Sequence, residues 1–148
     1  MKVSDILKLK SGVLYTARPA DMLMAALQVM DEKDIGSLVI MDDGALLGMV
    51  TVRELTKVLV QQGGDIKSVR VQDVMDKAPV TCRLDTGMDE VRRLMLDSHA
   101  RYMPVVDRGS LLGVISFHDV ARAVVDSQNL ENQMLRAYIS DTPLSEQS

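Results

Sequence analysis

The chain carries the same sequence pattern twice. Residues 38–55 read L-V-I-M-D-D-G-A-L-L-G-M-V-T-V-R-E-L, and residues 103–120 read M-P-V-V-D-R-G-S-L-L-G-V-I-S-F-H-D-V. The two copies are related by a constant shift of 65 residues, which takes Gly48 to Gly113. Self-similarity of this kind indicates one supersecondary unit that is used twice. A function located between the two copies is therefore the first hypothesis.

The length and the charge exclude several classes of protein. The 148 residues suffice for one compact unit or for two small halves that share a core. Each copy alone, at roughly 60 residues, would be marginally stable, which favours halves that pack together. The net charge is -4 and no basic block is present, so we do not expect a nucleic acid partner. The N-terminal M-K-V-S-D-I-L lacks the apolar core of a signal peptide, and no stretch approaches 18 apolar residues. We therefore expect no membrane partner and a cytoplasmic location.

Hydrophobic periodicity predicts the order strand, helix, strand, strand, helix in each copy. The elements expected in the first copy are residues 13–16, 21–33, 35–41, 45–50 and 54–62, with Asp42-Asp43-Gly44 as a turn and Gly63-Gly64 as the helix stop. Those expected in the second copy are residues 80–82, 88–98, 103–106, 111–115 and 118–129. Three extra residues of the first copy are expected in a loop within residues 8–12. The fold class is therefore α/β (α+β), with a hairpin in the middle of each copy.

These motifs resemble cystathionine-β-synthase (CBS) domains, two of which in tandem form a Bateman module. The resemblance rests on a D-V/I-M/L start, a short strand ending in Thr, the run L/M-P-V-V-D-x-G-x-L-x-G-V-I-S/T-x-x-D-V, and the duplication. It implies one CBS repeat at residues 1–64 and another at 65–125, packed with pseudo-two-fold symmetry, and a C-terminal helical extension and flexible tail at 126–148. It further implies that AMP, ADP, ATP or NAD binds as a ligand in clefts between the repeats, without catalysis.

The main cleft is predicted around the run G-V-I-S-F-H-D at residues 113–119, which ends a strand and opens a helix. Ser116 can donate a hydrogen bond to a ribose or phosphate oxygen, and Asp119 can accept hydrogen bonds from both ribose hydroxyls. The N–H groups at the helix start favour nearby anions. The resemblance places the other wall at Thr16 and at the backbone of residues 35–37. The full predicted set is Thr16, Asp21, Ile35, Gly36, Ser37, Val114, Ser116, His118 and Asp119.

The same positions also fit helix caps. Thr51-Val52-Arg53-Glu54 matches a capping box, in which Glu54 reaches back to the N–H of Thr51. The run from Ser116 to Asp119 is a weaker version, because Asp is shorter than Glu. The family pattern has Asp at the ribose position, so we expect Glu54 to act mainly as a cap and Asp119 mainly as a ribose ligand. The two clefts are therefore predicted to be unequal.

The second cleft has several residues with two open interpretations. Arg101 either binds a phosphate or is a solvated surface residue. Tyr102 either stacks on a purine or covers an apolar edge. Arg53 and His118 occupy equivalent positions in the two copies and either face phosphates or lie in solvent. The full predicted set is Met49, Thr51, Arg53, Glu54, Thr81, Ala100, Arg101 and Tyr102.

Residues outside the clefts are given structural roles. Cys82 lies in an apolar stretch without a second thiol and is expected to be an inert core residue. Two histidines do not supply the ligands of a usual zinc site, so no metal is expected. Residues 118–139 have helical periodicity without Pro or Gly, which predicts a helix that packs on its own module or on a second chain. Residues 142–148 are expected to be flexible.

The sequence as a whole predicts a non-catalytic sensor. It would bind an adenine nucleotide and transmit the bound state to an unidentified regulated protein. It would form a homodimer through the CBS helices and the C-terminal helix. Two alternatives remain open at this point: a regulatory fragment related to an IMP-dehydrogenase-type enzyme, and a structural dimer with vestigial clefts.

Overall fold

The computed structural model describes residues 1–10 and 12–140 and contains two α/β repeats followed by a helical extension. None of the helices in these ranges is both long enough and apolar enough to cross a membrane. The first repeat consists of α1 (Val3–Leu9), β1 (Thr16–Ala17), α2 (Leu23–Lys33), β2 (Ser37–Asp42), β3 (Ala45–Thr51) and α3 (Val52–Gln61). The second consists of α4 (Val71–Val74), α5 (Met88–Ser98), β4 (Tyr102–Asp107), β5 (Ser110–Ser116) and α6 (Phe117–Ser140). The expected tail at residues 142–148 lies outside the described residues.

The predicted hairpins are present in both repeats. Strand β2 pairs antiparallel with β3, and β4 pairs antiparallel with β5. Each hairpin turns through two residues with positive φ, Asp43 and Gly44 in the first and Arg108 and Gly109 in the second. Two consecutive residues with positive φ match the tight turns that suit the right-handed twist of paired strands. The repeated D-x-G motif is therefore a turn signal and carries no binding role by itself.

The first strand of each repeat differs from the prediction. Strand β1 begins at Thr16 and pairs parallel with β2, so the predicted strand at residues 13–16 is placed too early. The predicted strand at residues 80–82 is wrong, because only Cys82 forms a bridge, a parallel one to Val105. The next parallel bond would require an N–H on Pro104, which proline lacks. Pro104 therefore removes the hydrogen bond that would extend this pairing to the residues before Cys82.

The predicted loop at residues 8–12 is also partly wrong, because α1 continues to Leu9. The helix begins after Lys2, whose backbone N–H donates to Asp5 Oδ2 at 2.9 Å. It ends at Lys10, whose N–H donates to the carbonyl of Leu7 at 3.2 Å. The extra residues of the first repeat thus lengthen α1 relative to its counterpart α4, and they place Lys10 at the C-terminal end of the helix.

Each hydrophobic core takes a short helix from the other repeat. Val3 and Ile6 of α1 are 0% and 3% exposed and pack in the core of the second repeat with Met95 and Ile115. In the reverse direction, Val71 of α4 packs in the core of the first repeat. The exchange is fixed by backbone hydrogen bonds of about the same length, from Val3 N to Thr86 O at 3.0 Å and from Val71 N to Asp21 O at 2.9 Å. Separating the repeats would therefore open both cores.

The repeated glycines Gly48 and Gly113 lie where other parts of the chain approach the strands closely. A Cβ at Gly48 would lie 2.6 Å from the carbonyl oxygen of Asp76. A Cβ at Gly113 would lie 3.0 Å from Cδ2 of Leu7 in α1. The motif glycine therefore has a packing role in both repeats, and strands β3 and β5 also contact each other between the repeats.

Candidate functional site

The main cleft is a cavity of about 1070 Å³ between the repeats. This volume is close to the upper end of the usual range for small-molecule sites. One wall is formed by the chain from the end of α2 to the start of β2, and the other by the end of β5 and the first turn of α6. Six of the nine residues predicted for this cleft line it, namely Ile35, Gly36, Ser37, Val114, Ser116 and His118.

The other three predicted residues do not line the main cleft. Thr16 is exposed in β1, next to Tyr15, which does line the cleft. Asp21 accepts a hydrogen bond from the Arg18 N–H at 2.9 Å and so closes a turn before α2. Asp119 contacts the cleft residue Ser116 directly. Of the three, Asp119 is the one held by hydrogen bonds at the junction of β5 and α6.

Asp119 and Ser116 form a complete capping box at the start of α6. The N–H of Ser116 donates to Asp119 Oδ2 at 2.8 Å, and the N–H of Asp119 donates to Ser116 Oγ at 3.0 Å. The shorter side chain of Asp therefore does not prevent the reciprocal cap that was expected to be weak here. The cap fixes the carboxylate and the hydroxyl at the place where strand becomes helix.

Lys10 is a site residue that the sequence analysis missed. Its Nζ donates to Asp119 Oδ2 at 2.7 Å and to the carbonyl of Val114 at 2.9 Å. The side chains of Lys10 and Asp119 are 36% and 21% exposed, so water only partly screens the pair. No sequence motif includes Lys10. It reaches this position because α1 packs in the core of the second repeat.

The surroundings of Asp119 lower its pKa. Burial by itself raises the pKa of this carboxyl, but the hydrogen bonds from Lys10 and Ser116 and the positive charge of Lys10 outweigh burial. The folded-state pKa therefore lies below the unfolded value. The resulting contribution to stability is present at neutral pH and is lost as the pH falls through the lowered pKa.

Positive side chains predominate along the main cleft. Lys10, Lys33 and Arg101 line it, whereas Asp34 is the acidic residue among its lining. Lys33 Nζ lies 5.6 Å from the centre of the Tyr15 ring, within the range of a cation–π contact. A cationic lining in a chain with a net charge of -4 favours an anionic ligand in this cleft.

The second cleft has a volume of about 700 Å³. Thr81 does not line it, but the other seven predicted residues do, namely Met49, Thr51, Arg53, Glu54, Ala100, Arg101 and Tyr102. Glu54 is only 8% exposed, and its Oε1 accepts hydrogen bonds from the N–H and the hydroxyl of Thr51 at 2.9 and 2.7 Å. The expected capping box at Thr51 and Glu54 is therefore confirmed.

One wall of side chains separates the two clefts and lines both. It consists of Arg101, Tyr102 and Phe117, and the Phe117 N–H donates to the Arg101 carbonyl at 2.7 Å. The Tyr102 hydroxyl contacts Gly36 so closely that a Cβ there would overlap it. Tyr102 therefore covers the backbone of the opposite repeat. Phe117 was not predicted, because it stands at a variable position of the motif between Ser116 and Asp119.

Cys82 lies outside both cleft linings. It is 4% exposed, and burial raises the pKa of its thiol to about 12. The predicted core position of Cys82 is therefore confirmed, and a thiol that is protonated at neutral pH is expected to be inert. Within residues 1–10 and 12–140, no three side chains of His, Cys, Asp or Glu come together in a metal-binding arrangement.

Comparison with known proteins identifies the family. The CBS domain profile matches residues 3–61 and again residues 71–126. The chain is 32% identical over 146 residues to the CBS domain-containing protein CBSX3, mitochondrial, from Arabidopsis thaliana, covering 93% of this chain and 71% of that protein.

Solved structures agree with this assignment. A putative signal-transduction protein with CBS domains from Burkholderia ambifaria superposes with a TM-score of 0.81 at 32% identity, covering 86% of this chain and 96% of that one. CBSX2 in complex with AMP superposes with a TM-score of 0.68 at 26% identity, covering 86% and 98%. The two matches of the family profile account for most of the described chain, and both copies of the predicted motif fall inside them. The chain therefore belongs to the CBS domain family as a tandem pair of CBS repeats.

Proposed function

We propose that this protein is a non-catalytic sensor that binds an adenine nucleotide in the main cleft and transmits the bound state to a regulated protein. The observation that carries the proposal is the fixed pair of Ser116 and Asp119, which stands at a strand-to-helix junction beside a cavity of about 1070 Å³. A hydroxyl and a carboxylate in this arrangement suit ribose. AMP, ADP, ATP and NAD all carry the required adenosine unit.

Each part of an adenine nucleotide has complementary groups in the main cleft. The ribose hydroxyls would donate to Asp119, and the phosphate would lie near the N–H groups at the start of α6 and the basic lining. The apolar side chains of Ile35 and Leu112 line the cavity and would contact the base. Similarity to CBSX2, which was solved in complex with AMP, supports the same ligand class here.

The second cleft is the poorer candidate for a nucleotide. Its carboxylate, Glu54, is nearly buried and accepts two hydrogen bonds from Thr51. Asp119 closes a cap of the same kind, so the two clefts differ in access: the side chain of Asp119 is 21% exposed, whereas Glu54 is 8% exposed, and the second cleft is the smaller of the two. We therefore expect the main cleft to fill first, and Arg53 and Arg101 to serve the second cleft only at higher ligand concentration.

A path for transmission is built into the main cleft. Helix α6 begins at Phe117, directly after Ser116, and continues to Ser140. A ligand bound at the first turn of α6 thus touches the same helix that continues beyond the second repeat. We propose that the position or the exposed surface of α6 is what the regulated protein recognises.

The same helix supports a homodimer as part of the proposal. Leu130 and Met134 are 58% and 64% exposed, and they follow the buried Ala123 and Val120 at heptad spacing. The apolar face that the module buries in the first turns of α6 therefore continues into solvent. Contact between two copies about a two-fold axis would cover both faces at once.

Nucleotide retained from the expression host tests the proposed function. We expect mass spectrometry of the denatured, freshly purified protein to show an adenine nucleotide in at least a part of the molecules. The expectation follows from the size and the cationic lining of the main cleft. Absence of nucleotide, together with no binding of added AMP, would contradict the proposal and would favour a structural dimer with vestigial clefts.

A further inference from the structure

We propose that Lys10 occupies the ribose subsite of the main cleft when no ligand is bound, and that it makes the cleft selective for phosphorylated nucleotides over uncharged nucleosides. The inference rests on the proposed function, because that proposal assigns the ribose to Asp119. Lys10 lies outside the repeated motifs, and its charge gives a reason for ligand selectivity.

The ammonium group of Lys10 is held at the carboxylate of Asp119. Lys10 Nζ lies 2.7 Å from Asp119 Oδ2 and 2.9 Å from the carbonyl oxygen of Val114. At these distances no ribose hydroxyl fits between Nζ and the carboxylate oxygen. The same Oδ2 also accepts the N–H of Ser116 at 2.8 Å, so its acceptor capacity is already used. A ribose that binds to Asp119 through this oxygen must first displace Lys10.

Lys10 is anchored beside the cleft by helix α1, which precedes it. Helix α1 is fixed in the core of the second repeat by Val3 and Ile6, and Leu7 packs against Gly113. Lys10 follows this helix immediately, so its backbone stays beside the cleft when its side chain swings away. The displaced charge therefore remains in the cleft instead of leaving with a mobile segment.

Displacing Lys10 has different electrostatic consequences for a nucleoside and for a nucleotide. A nucleoside that displaces Lys10 breaks an ion pair and leaves the ammonium among other cations, Lys33 and Arg101. A nucleotide brings a phosphate that the freed ammonium can pair with, and lysine is a common phosphate-binding residue. The cost of displacement is thus offset for AMP and not for adenosine.

The alternative is that Lys10 only holds α1 against the second repeat. The two roles differ in their effect on the affinity for adenosine. If Lys10 is only structural, removing its charge lowers stability and leaves adenosine binding unchanged or weaker. If Lys10 competes for the ribose subsite, removing its charge strengthens adenosine binding.

The test is calorimetric titration of adenosine and of AMP into the wild-type protein and Lys10→Met. We expect Lys10→Met to bind adenosine about two- to fivefold more tightly than the wild type, the range that corresponds to a partly screened ion pair. We expect its affinity for AMP to be equal or lower, so that the preference for AMP over adenosine falls by at least about two- to fivefold. Lys10→Arg keeps the charge and should bind adenosine as weakly as the wild type.

Lys8→Met is the matched control, because Lys8 lies on the same helix, is exposed, and does not line either cleft. We expect it to behave as the wild type with both ligands, and circular dichroism checks that each variant is folded. Unchanged or weaker adenosine binding by Lys10→Met, or an equal gain in Lys8→Met, would overturn the role of Lys10. If neither ligand binds to the wild type or to Lys10→Met, the proposed function itself is contradicted.

Discussion

Replacing Asp119 by alanine is expected to weaken AMP binding by about 10- to 100-fold. The carboxylate would accept hydrogen bonds from the ribose hydroxyls, and hydrogen bonds to a charged group contribute roughly 1.5–3 kcal/mol. Asp119 is suited to this task because it stands at the junction of β5 and α6 and is partly buried. Titration calorimetry with AMP measures the loss.

Glu54→Ala is the matched control for Asp119→Ala, because both residues close a capping box at the start of a helix. Each substitution should lower the free energy of unfolding by about 1 kcal/mol through the lost cap, and Asp119→Ala should lower it further because it also removes the ion pair with Lys10. Only Asp119→Ala should also lose AMP affinity. If Glu54→Ala abolishes binding and Asp119→Ala leaves it intact, the second cleft is the principal site and the assignment proposed here is reversed.

Removing the chain after Asp126 is expected to change the protein from a dimer to a monomer at micromolar concentration. The deletion takes away Leu130, Met134 and Leu135, which are 58%, 64% and 59% exposed in the single chain. An apolar row of this size in water favours association, because burial is worth about 25 cal/mol per Å² of apolar surface. Sedimentation velocity of the full-length and shortened proteins measures the change.

The shortened protein retains the start of α6, so its nucleotide site should remain intact. Its AMP affinity is therefore the control for folding. A full-length protein that sediments as a monomer would contradict the proposed homodimer. A shortened protein that still dimerises would show that the helices of the CBS repeats suffice for association and that the extension has another role.

Local features of the fold were predictable because local sequence determines them. The hairpin turns follow from the D-x-G motifs, whose residues Asp43, Gly44 and Gly109 have positive φ. Helix α3 ends where Gly63 and Gly64 were expected to stop it, since both also adopt positive φ. The constant shift between the copies then predicts a second repeat, and the CBS domain profile matches both copies.

Features that depend on contacts between segments far apart in the sequence were not predictable from the repeated motifs. The exchange of α1 and α4 between the cores places Lys10 next to Asp119, although the two are far apart in the sequence. The segment before Cys82 does not pair with β4, because Pro104 has no N–H to donate to it. Tyr102 was assigned to the second cleft alone, whereas it lines both clefts and covers Gly36.

The central claim is that the main cleft recognises an adenine nucleotide, and titration of AMP against GMP into the wild-type protein tests it most directly. Ile35 and Ser37, on either side of the Gly36 that Tyr102 covers, line the cleft and would contact the edge of the base. Guanine presents donors and acceptors at different positions on that edge, and a mismatched buried polar group costs roughly 1–3 kcal/mol. We predict that AMP binds at least about fivefold more tightly than GMP. Equal affinities for AMP and GMP, or no binding of either, would contradict it.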